Sequence, residues 1–244
     1  MVKIAVFFEV FAFAVCLVIS LFIVLIPVGI MKLLRLRKAA ATWSRISGTA
    51  FCHVIFALVN LKVTDVSENR PDLSKYSRVC IISNHTSILD IPAIVGCLHI
   101  WTSFIAKKEL AWVPFVNFWI SAVDCVYMKR GSLRDSAKSI DEGVKKIENG
   151  IRLTVFPEGT RSKTGKIASF KGGSFKLATR SKAVIIPVVI KGVRNGFESK
   201  KTIRRQYAKI AMLDPMETEN LTPDEIRDLP QRVESIIREA YERI

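Results

Sequence analysis

Reactive side chains first gather at Ser83-Asn84-His85-Thr86-Ser87, with Asp90 three positions further on, where the apolar run Val79 to Ile82 stops. An imidazole titrates near neutrality and suits general-base work. A carboxylate about one helical turn away can hold the ring in one tautomer and stabilise the imidazolium that forms. A His85–Asp90 dyad needs a nucleophile, and two are open: the Ser87 hydroxyl or a hydroxyl on the substrate. Ser87 does not stand in a G-x-S-x-G elbow, which favours the substrate hydroxyl. The plain alternative is that Ser83 or Asn84 caps the following helix and nothing more.

A second concentration, Phe156-Pro157-Glu158-Gly159-Thr160-Arg161-Ser162, follows the apolar run Leu153 to Phe156. Pro157 and Gly159 shape a turn, Thr160 offers a hydroxyl, and Arg161 offers a fork that matches phosphate oxygens. Glu158 is a candidate to orient Arg161 or to meet the substrate. Lys163, Lys166 and Lys171, with Gly172 and Gly173, continue as a basic, glycine-containing loop of the kind that cradles phosphate. The alternative is a surface turn with a local ion pair. Cations also follow two further apolar runs, Lys107 and Lys108 in "AKKEL" and Lys129 and Arg130 in "YMKR". Four strand ends thus carry polar or cationic groups, and the C-terminal edge of one sheet would bring them together.

The elements needed to do so are legible. Short apolar runs at 79–83, 102–106, 123–128, 151–156, 184–190 and 207–213 read as strands, separated by helical stretches at 87–98, 109–121 (broken), 133–149 and 173–181. Thr222-Pro223-Asp224-Glu225 is a capping box with proline at N1, and Pro230 is expected to break that helix before a second amphipathic one. The alternation predicts an α/β fold, a mixed sheet flanked by helices, over residues 62–244. Residues 65–78 read as a polar linker.

Residues 1–61 are different. The 22 residues Val10 to Met31 carry no charge, and about 20 apolar residues cross a bilayer core. The run is too long for a signal peptide, and only Lys3 precedes it. Ala39 to Leu61 follows as an amphipathic helix with Trp43, Ile46, Ala50, Val54, Leu58 and Leu61 on one face. A bend is expected around Pro27-Val28-Gly29 and the cluster Lys32, Arg35, Arg37 and Lys38. This predicts an N-terminal membrane-anchoring two-helix segment that crosses the bilayer or dips into one leaflet. By the positive-inside rule the cluster, and the α/β domain after it, belong on the cytoplasmic side of the cell membrane.

Composition agrees. Half the residues are hydrophobic, yet 37 Lys and Arg against 22 Asp and Glu give +15, a combination suited to an anionic lipid surface. No zinc spacing or aromatic-basic motif points to nucleic acid, so membrane phospholipids are the expected partner. Five cysteines without a C-x-x-C pair read as reduced, buried thiols.

The order N-H-x-S-x-x-D, F-P-E-G-T-R-S, then Val184-Ile185-Ile186-Pro187-Val188 resembles the glycerolipid acyltransferases, closest to the 1-acylglycerol-3-phosphate acyltransferases. Ala106-Lys107-x-Glu109-Leu110 with Pro114, and Phe170-Lys171-x-Gly173, fit the same pattern over roughly Val63 to Leu213. Asn117, Asp124 and Lys129 depart from it. The resemblance implies that His85, oriented by Asp90, deprotonates the sn-2 hydroxyl of lysophosphatidic acid, which attacks the thioester of acyl-CoA or acyl carrier protein. Glu158, Gly159, Thr160 and Arg161 would hold the acceptor, with Arg161 on its phosphate. Lys107, Arg130 and Lys171 would add charge, and Pro187 would shape the donor side. It implies no metal and no cofactor beyond the acyl thioester. Glycerol-3-phosphate or another lysolipid as acceptor, a serine ester hydrolase and a non-catalytic membrane adaptor are the alternatives.

Overall fold

Val79–Ser83 is buried at all five positions, as befits a strand covered on both faces of a parallel sheet. The computed structural model describes residues 2–113, 116–128, 133–199 and 204–244. Its strands are β1 (Leu61–Asp65), β2 (Val79–Ser83), β3 (Ser103–Lys107), β4 (Val126–Met128), β5 (Leu153–Val155), β6 (Val184–Lys191) and β7 (Gln206–Met212). They form a seven-stranded sheet in the order β1-β7-β6-β2-β5-β3-β4. Every neighbouring pair runs parallel except β6 and β7. The helices are α1 (Val2–Ser20), α2 (Ile26–Leu33), α3 (Arg37–Leu58), α4 (Asp90–Cys97), α5 (Val116–Ala122), α6 (Leu133–Glu148), α7 (Gly172–Ser181) and α8 (Pro223–Arg243).

Strand alternation divides the core in two. Ile81, Ile186, Val188, Ile190 and Ile210 pack with α3 and α4 on one face. Cys80, Ile82, Ile185 and Val189 pack with α6, α7 and α8 on the other. The fold is thus the expected mixed α/β sheet with helices on both sides.

Four local expectations need correcting. The amphipathic second helix ends at Leu58, and Asn60, at φ 50°, turns the chain into β1, parallel to β7. Leu61 continues the apolar periodicity of α3, which hid the change of element, and part of the supposed linker is this edge strand. The helical hairpin turns at Leu34 to Leu36, inside the expected basic cluster, where Arg35 has φ 60°, while Pro27 to Gly29 stays helical. A π-helical segment, Leu21–Leu25, admits Pro27 into the first turn of α2. The Ile23 carbonyl, four residues before that proline, accepts the Trp43 indole N–H at 3.2 Å, in place of the amide Pro27 lacks. Pro230 does not break α8, which runs unbroken from Pro223 to Arg243. Its proline costs about 3 kcal/mol, but Val233 and Ile237 beyond it are fully buried, each worth about 1.5–3 kcal/mol. The helix that follows β2 begins at Asp90, not at residue 87.

Ala14–Leu33 is a 20-residue helical stretch long and apolar enough to cross a membrane, and mostly unburied by the rest of the chain. It is held to the body by the Trp43 bond and by the Trp119 indole, which donates to the Ser20 hydroxyl at 3.0 Å.

Candidate active site

β2 ends where Asn84 leaves the ladder. Its buried side-chain amide donates to the Ile190 carbonyl at 2.8 Å and accepts the Ile190 N–H at 2.9 Å, so His85 leaves the sheet at a pinned position. Asn84 therefore serves β6, not a helix cap. The following turn is organised by Asp90, which is fully buried. Its Oδ2 meets His85 Nδ1 at 2.9 Å and accepts the Thr86 and Ser87 N–H groups at 2.7 and 2.8 Å. With Nδ1–H assigned to this bond, the ring's Nε2 is left for the solvent side. The ring stacks on Phe156, centroids 4.0 Å apart and planes 14° off parallel. Burial pushes the Asp90 carboxyl above the usual carboxylate range, while the bonds from His85, Ser87 and Thr86 pull it back.

The loop after β5 grips His85 by its backbone. Glu158 Oε1 accepts the His85 N–H at 2.6 Å and Oε2 accepts the Ala168 N–H at 2.9 Å. Ser162 N–H donates to the His85 carbonyl at 2.8 Å. Glu158 is buried, and burial raises its carboxyl. It is therefore not a partner of Arg161 and not turned to the cleft, as the sequence suggested, but fixes the backbone of His85. Gly159 has φ +73°, and a Cβ there would stand 3.0 Å from the Lys171 ammonium. Glu158→Gln leaves one amide donor facing His85 or Ala168 where an acceptor is required. We expect kcat to fall about tenfold or more for that loss of 1.5–3 kcal/mol, with the acceptor KM nearly unchanged. A steady-state profile in which KM rises and kcat holds would return Glu158 to the acceptor.

Because β2, β5 and β3 are adjacent and parallel, their C-terminal loops lie side by side, the usual place for a ligand in such sheets. They border a cleft of about 970 Å³. Its inner wall is apolar, with Phe51 and Ile55 of α3, Ile91 and Val95 of α4, Trp119 and Ile120 of α5, and Phe104. Gly48 makes room for Trp101 in that wall, since a Cβ there would come within 2.6 Å of the indole. The mouth is polar: His85, Lys107, Thr160, Arg161, Lys163, Arg194 and Glu198 line it.

Glu198 escaped the sequence reading. It accepts the Ser87 hydroxyl at 2.6 Å and the Ile88 N–H at 2.7 Å, and stands 3.5 Å from Arg161. It lies 111 residues from Ser87 in the chain, in no recognisable motif, so no spacing announces it. Ser87 also accepts the Leu89 N–H at 3.0 Å. A hydroxyl committed to Glu198 is not one activated by His85, which removes the support for a serine nucleophile.

Of the remaining expected residues, Lys107 reaches the mouth and pairs with Glu109 at 3.5 Å. Gly159 and Lys171 stand behind it, outside the lining, with the Lys171 N–H on the Pro157 carbonyl. Pro187 does not shape the cleft. It pairs with Ile82 inside the sheet, and alternation puts it with Ile185 and Val189 on the far face. Its missing N–H falls on the β7 side, where the chain bulges between Met212 and Met216. Arg130, and Pro114 and Lys129 with it, lie outside the described residues. Among the described residues no cluster of three His, Cys, Asp or Glu is placed to hold a metal. Burial pushes the Cys80 and Cys125 thiols up to about 12 and Cys97 to about 11, so these thiols are protonated.

The acyltransferase family profile matches residues 63–191, and the chain belongs to the acyltransferase family. It is similar to the 1-acyl-sn-glycerol-3-phosphate acyltransferase of Saccharomyces cerevisiae, 31% identical over 201 residues, covering 81% of this chain and 65% of that one. The alpha form of Homo sapiens is 30% identical over 157 residues, covering 63% of this chain and 55% of that one. The chain thus spans 55–65% of the length of these two relatives. The crystal structure of PlsC, the 1-acyl-sn-glycerophosphate (LPA) acyltransferase from Thermotoga maritima, superimposes with a TM-score of 0.81 at 27% identity, covering 99% of this chain and 95% of that one.

Proposed function

We propose that the protein transfers an acyl chain from acyl-CoA or acyl carrier protein to the sn-2 hydroxyl of 1-acylglycerol-3-phosphate, forming phosphatidic acid for phospholipid synthesis. The observation that carries this reading is a dyad at the boundary of a cleft that is cationic outside and apolar within. That boundary suits an acceptor with a phosphate at one end and an alkyl chain at the other. His85 Nε2 takes the hydroxyl proton as the oxygen attacks the thioester carbonyl. The carbon–sulfur bond then breaks, and the imidazolium returns the proton to the leaving thiolate, giving an ester and a free thiol. Asp90 holds the ring and balances its charge. General-base assistance supplies about 10²–10⁴-fold, and holding both reactants at the dyad supplies much of the remainder. Both donors are anionic, as is the lipid surface, and the +15 chain attracts all of them. The cell membrane, with the catalytic domain on the cytoplasmic face where these thioesters are found, is the location we assign.

The test offers purified protein a labelled acyl thioester with lysophosphatidate, glycerol-3-phosphate and lysophosphatidylcholine in parallel. Label should appear in phosphatidate. Transfer to glycerol-3-phosphate or the choline lipid alone would overturn the acceptor assignment. In the same assay Arg161→Ala should raise the acceptor KM about tenfold or more, from loss of a charged hydrogen bond worth about 1.5–3 kcal/mol. The donor KM should hold. Unchanged acceptor kinetics would remove Arg161 from the phosphate.

A further inference from the structure

The loop between β3 and α5 carries an exposed apolar tip that the proposed reaction does not use. Trp112 is 85% exposed, the highest value for a large hydrophobic side chain among the described residues, and lies outside the cleft lining. Its neighbours Leu110 and Val113 are exposed too, yet line the cleft. The tip is therefore part of the cleft's rim. Lys107 and Lys108, both exposed, stand just before it, with Lys107 paired to Glu109 at 3.5 Å. An exposed indole beside cations, with aliphatic neighbours, has the composition of a group that sits at the level of lipid headgroups.

Where this loop stands relative to the apolar helix decides what covers it. α5, which follows the loop, is tied to Ser20 through the Trp119 indole at 3.0 Å, and the Trp119 ring stacks on Phe51 with centroids 5.1 Å apart. Ser20 lies inside the apolar stretch Ala14–Leu33. The element that touches Ser20 must therefore lie at the depth of that stretch or beside it, and cannot be carried well clear of the membrane. The 3-10 turn Lys108–Trp112 ends four positions before α5 begins at Val116.

We infer that this loop is a second membrane contact, in which Trp112 inserts at the headgroup level of an anionic bilayer and Lys107 and Lys108 lie over it. The insertion does not rest on the proposed function.

The test uses the full chain in vesicles of three parts phosphatidylcholine to one part phosphatidylglycerol, with a fraction of the phosphatidylcholine brominated near the top of its acyl chains. Trp112→Phe should abolish a clear component of the tryptophan quenching seen in the parent protein. The second measurement is kinetic, with Trp112→Glu. The apparent KM for a long-chain acceptor presented in these vesicles should rise about tenfold or more, because an anionic side chain replaces the inserted indole at an anionic surface. With a short-chain lysophosphatidate dissolved as monomers, kcat/KM should stay within about twofold, as expected of a surface change away from the reacting groups. Equal quenching in the parent and Trp112→Phe overturns the insertion. Equal loss on vesicle and monomeric acceptor overturns it as well, since Trp112 then supports the site. A parent protein that is quenched but transfers no acyl group leaves the membrane contact standing and fails the proposed function instead.

Discussion

His85→Ala should lower turnover at least a hundredfold, toward the upper end of the 10²–10⁴ range for a general base. The loss should appear in kcat and kcat/KM together, because the ring acts on the reacting proton and not on the bound acceptor. The side chain is 17% exposed and stacks on Phe156, so some packing is lost as well. Circular dichroism and vesicle pelleting check that the fold and membrane binding persist. Residual activity above a tenth of the parent, in protein that pellets and folds normally, would rule out His85 as the base.

Asp90→Asn is the second large effect, and its sign differs between activity and stability. An asparagine can keep its oxygen toward His85 Nδ1, Thr86 and Ser87, while its NH₂ takes the place of Oδ1, which has no hydrogen-bond partner. The orientation of the ring is then largely retained, but the charge that stabilises the imidazolium is gone, and kcat should fall about a hundredfold or more. Stability follows from linkage. Burial raises the folded-state pKa of Asp90, so the folded chain binds this proton more tightly than the unfolded one. The group's contribution is full below the ordinary carboxylate range and is lost as pH rises through the folded value. As pH rises through that value the carboxylate loses stability that asparagine, which does not titrate, keeps. The Tm of Asp90→Asn relative to the parent should be more favourable at pH 7 than at pH 4. Melting curves that show the variant strongly destabilised at pH 7 would mean that Asp90 acts as a structural keystone and its catalytic loss is secondary.

What the chain's own order determines is the chemistry-bearing pieces and the elements that carry them. His85, Asp90 and the loop 156–162 stand at the ends of short apolar runs, and strand ends in parallel sheets are where ligands bind. Periodicity located α6 and the capping box located the start of α8, because both signals are local. The apolar stretch Val10 to Met31 is equally local, being a matter of length and charge.

Only the tertiary structure decided which polar groups meet. Glu158 and Arg161 are three residues apart and read as a pair, yet Glu158 turns inward to the His85 backbone because a buried amide needs an acceptor more than an exposed guanidinium needs a partner. Arg161 is met instead by Glu198 from a distant loop. Pro187 matched a motif, but the two-residue alternation of β6 turns it away from the cleft. Pro230 is a local breaker that the packing of Val233 and Ile237 overrides. Leu61 continued a helical stripe until Asn60 turned it into β1. Spacing along the chain reports what neighbours can do, whereas burial, which sets the cost of every unpaired polar group, is a property of the folded whole.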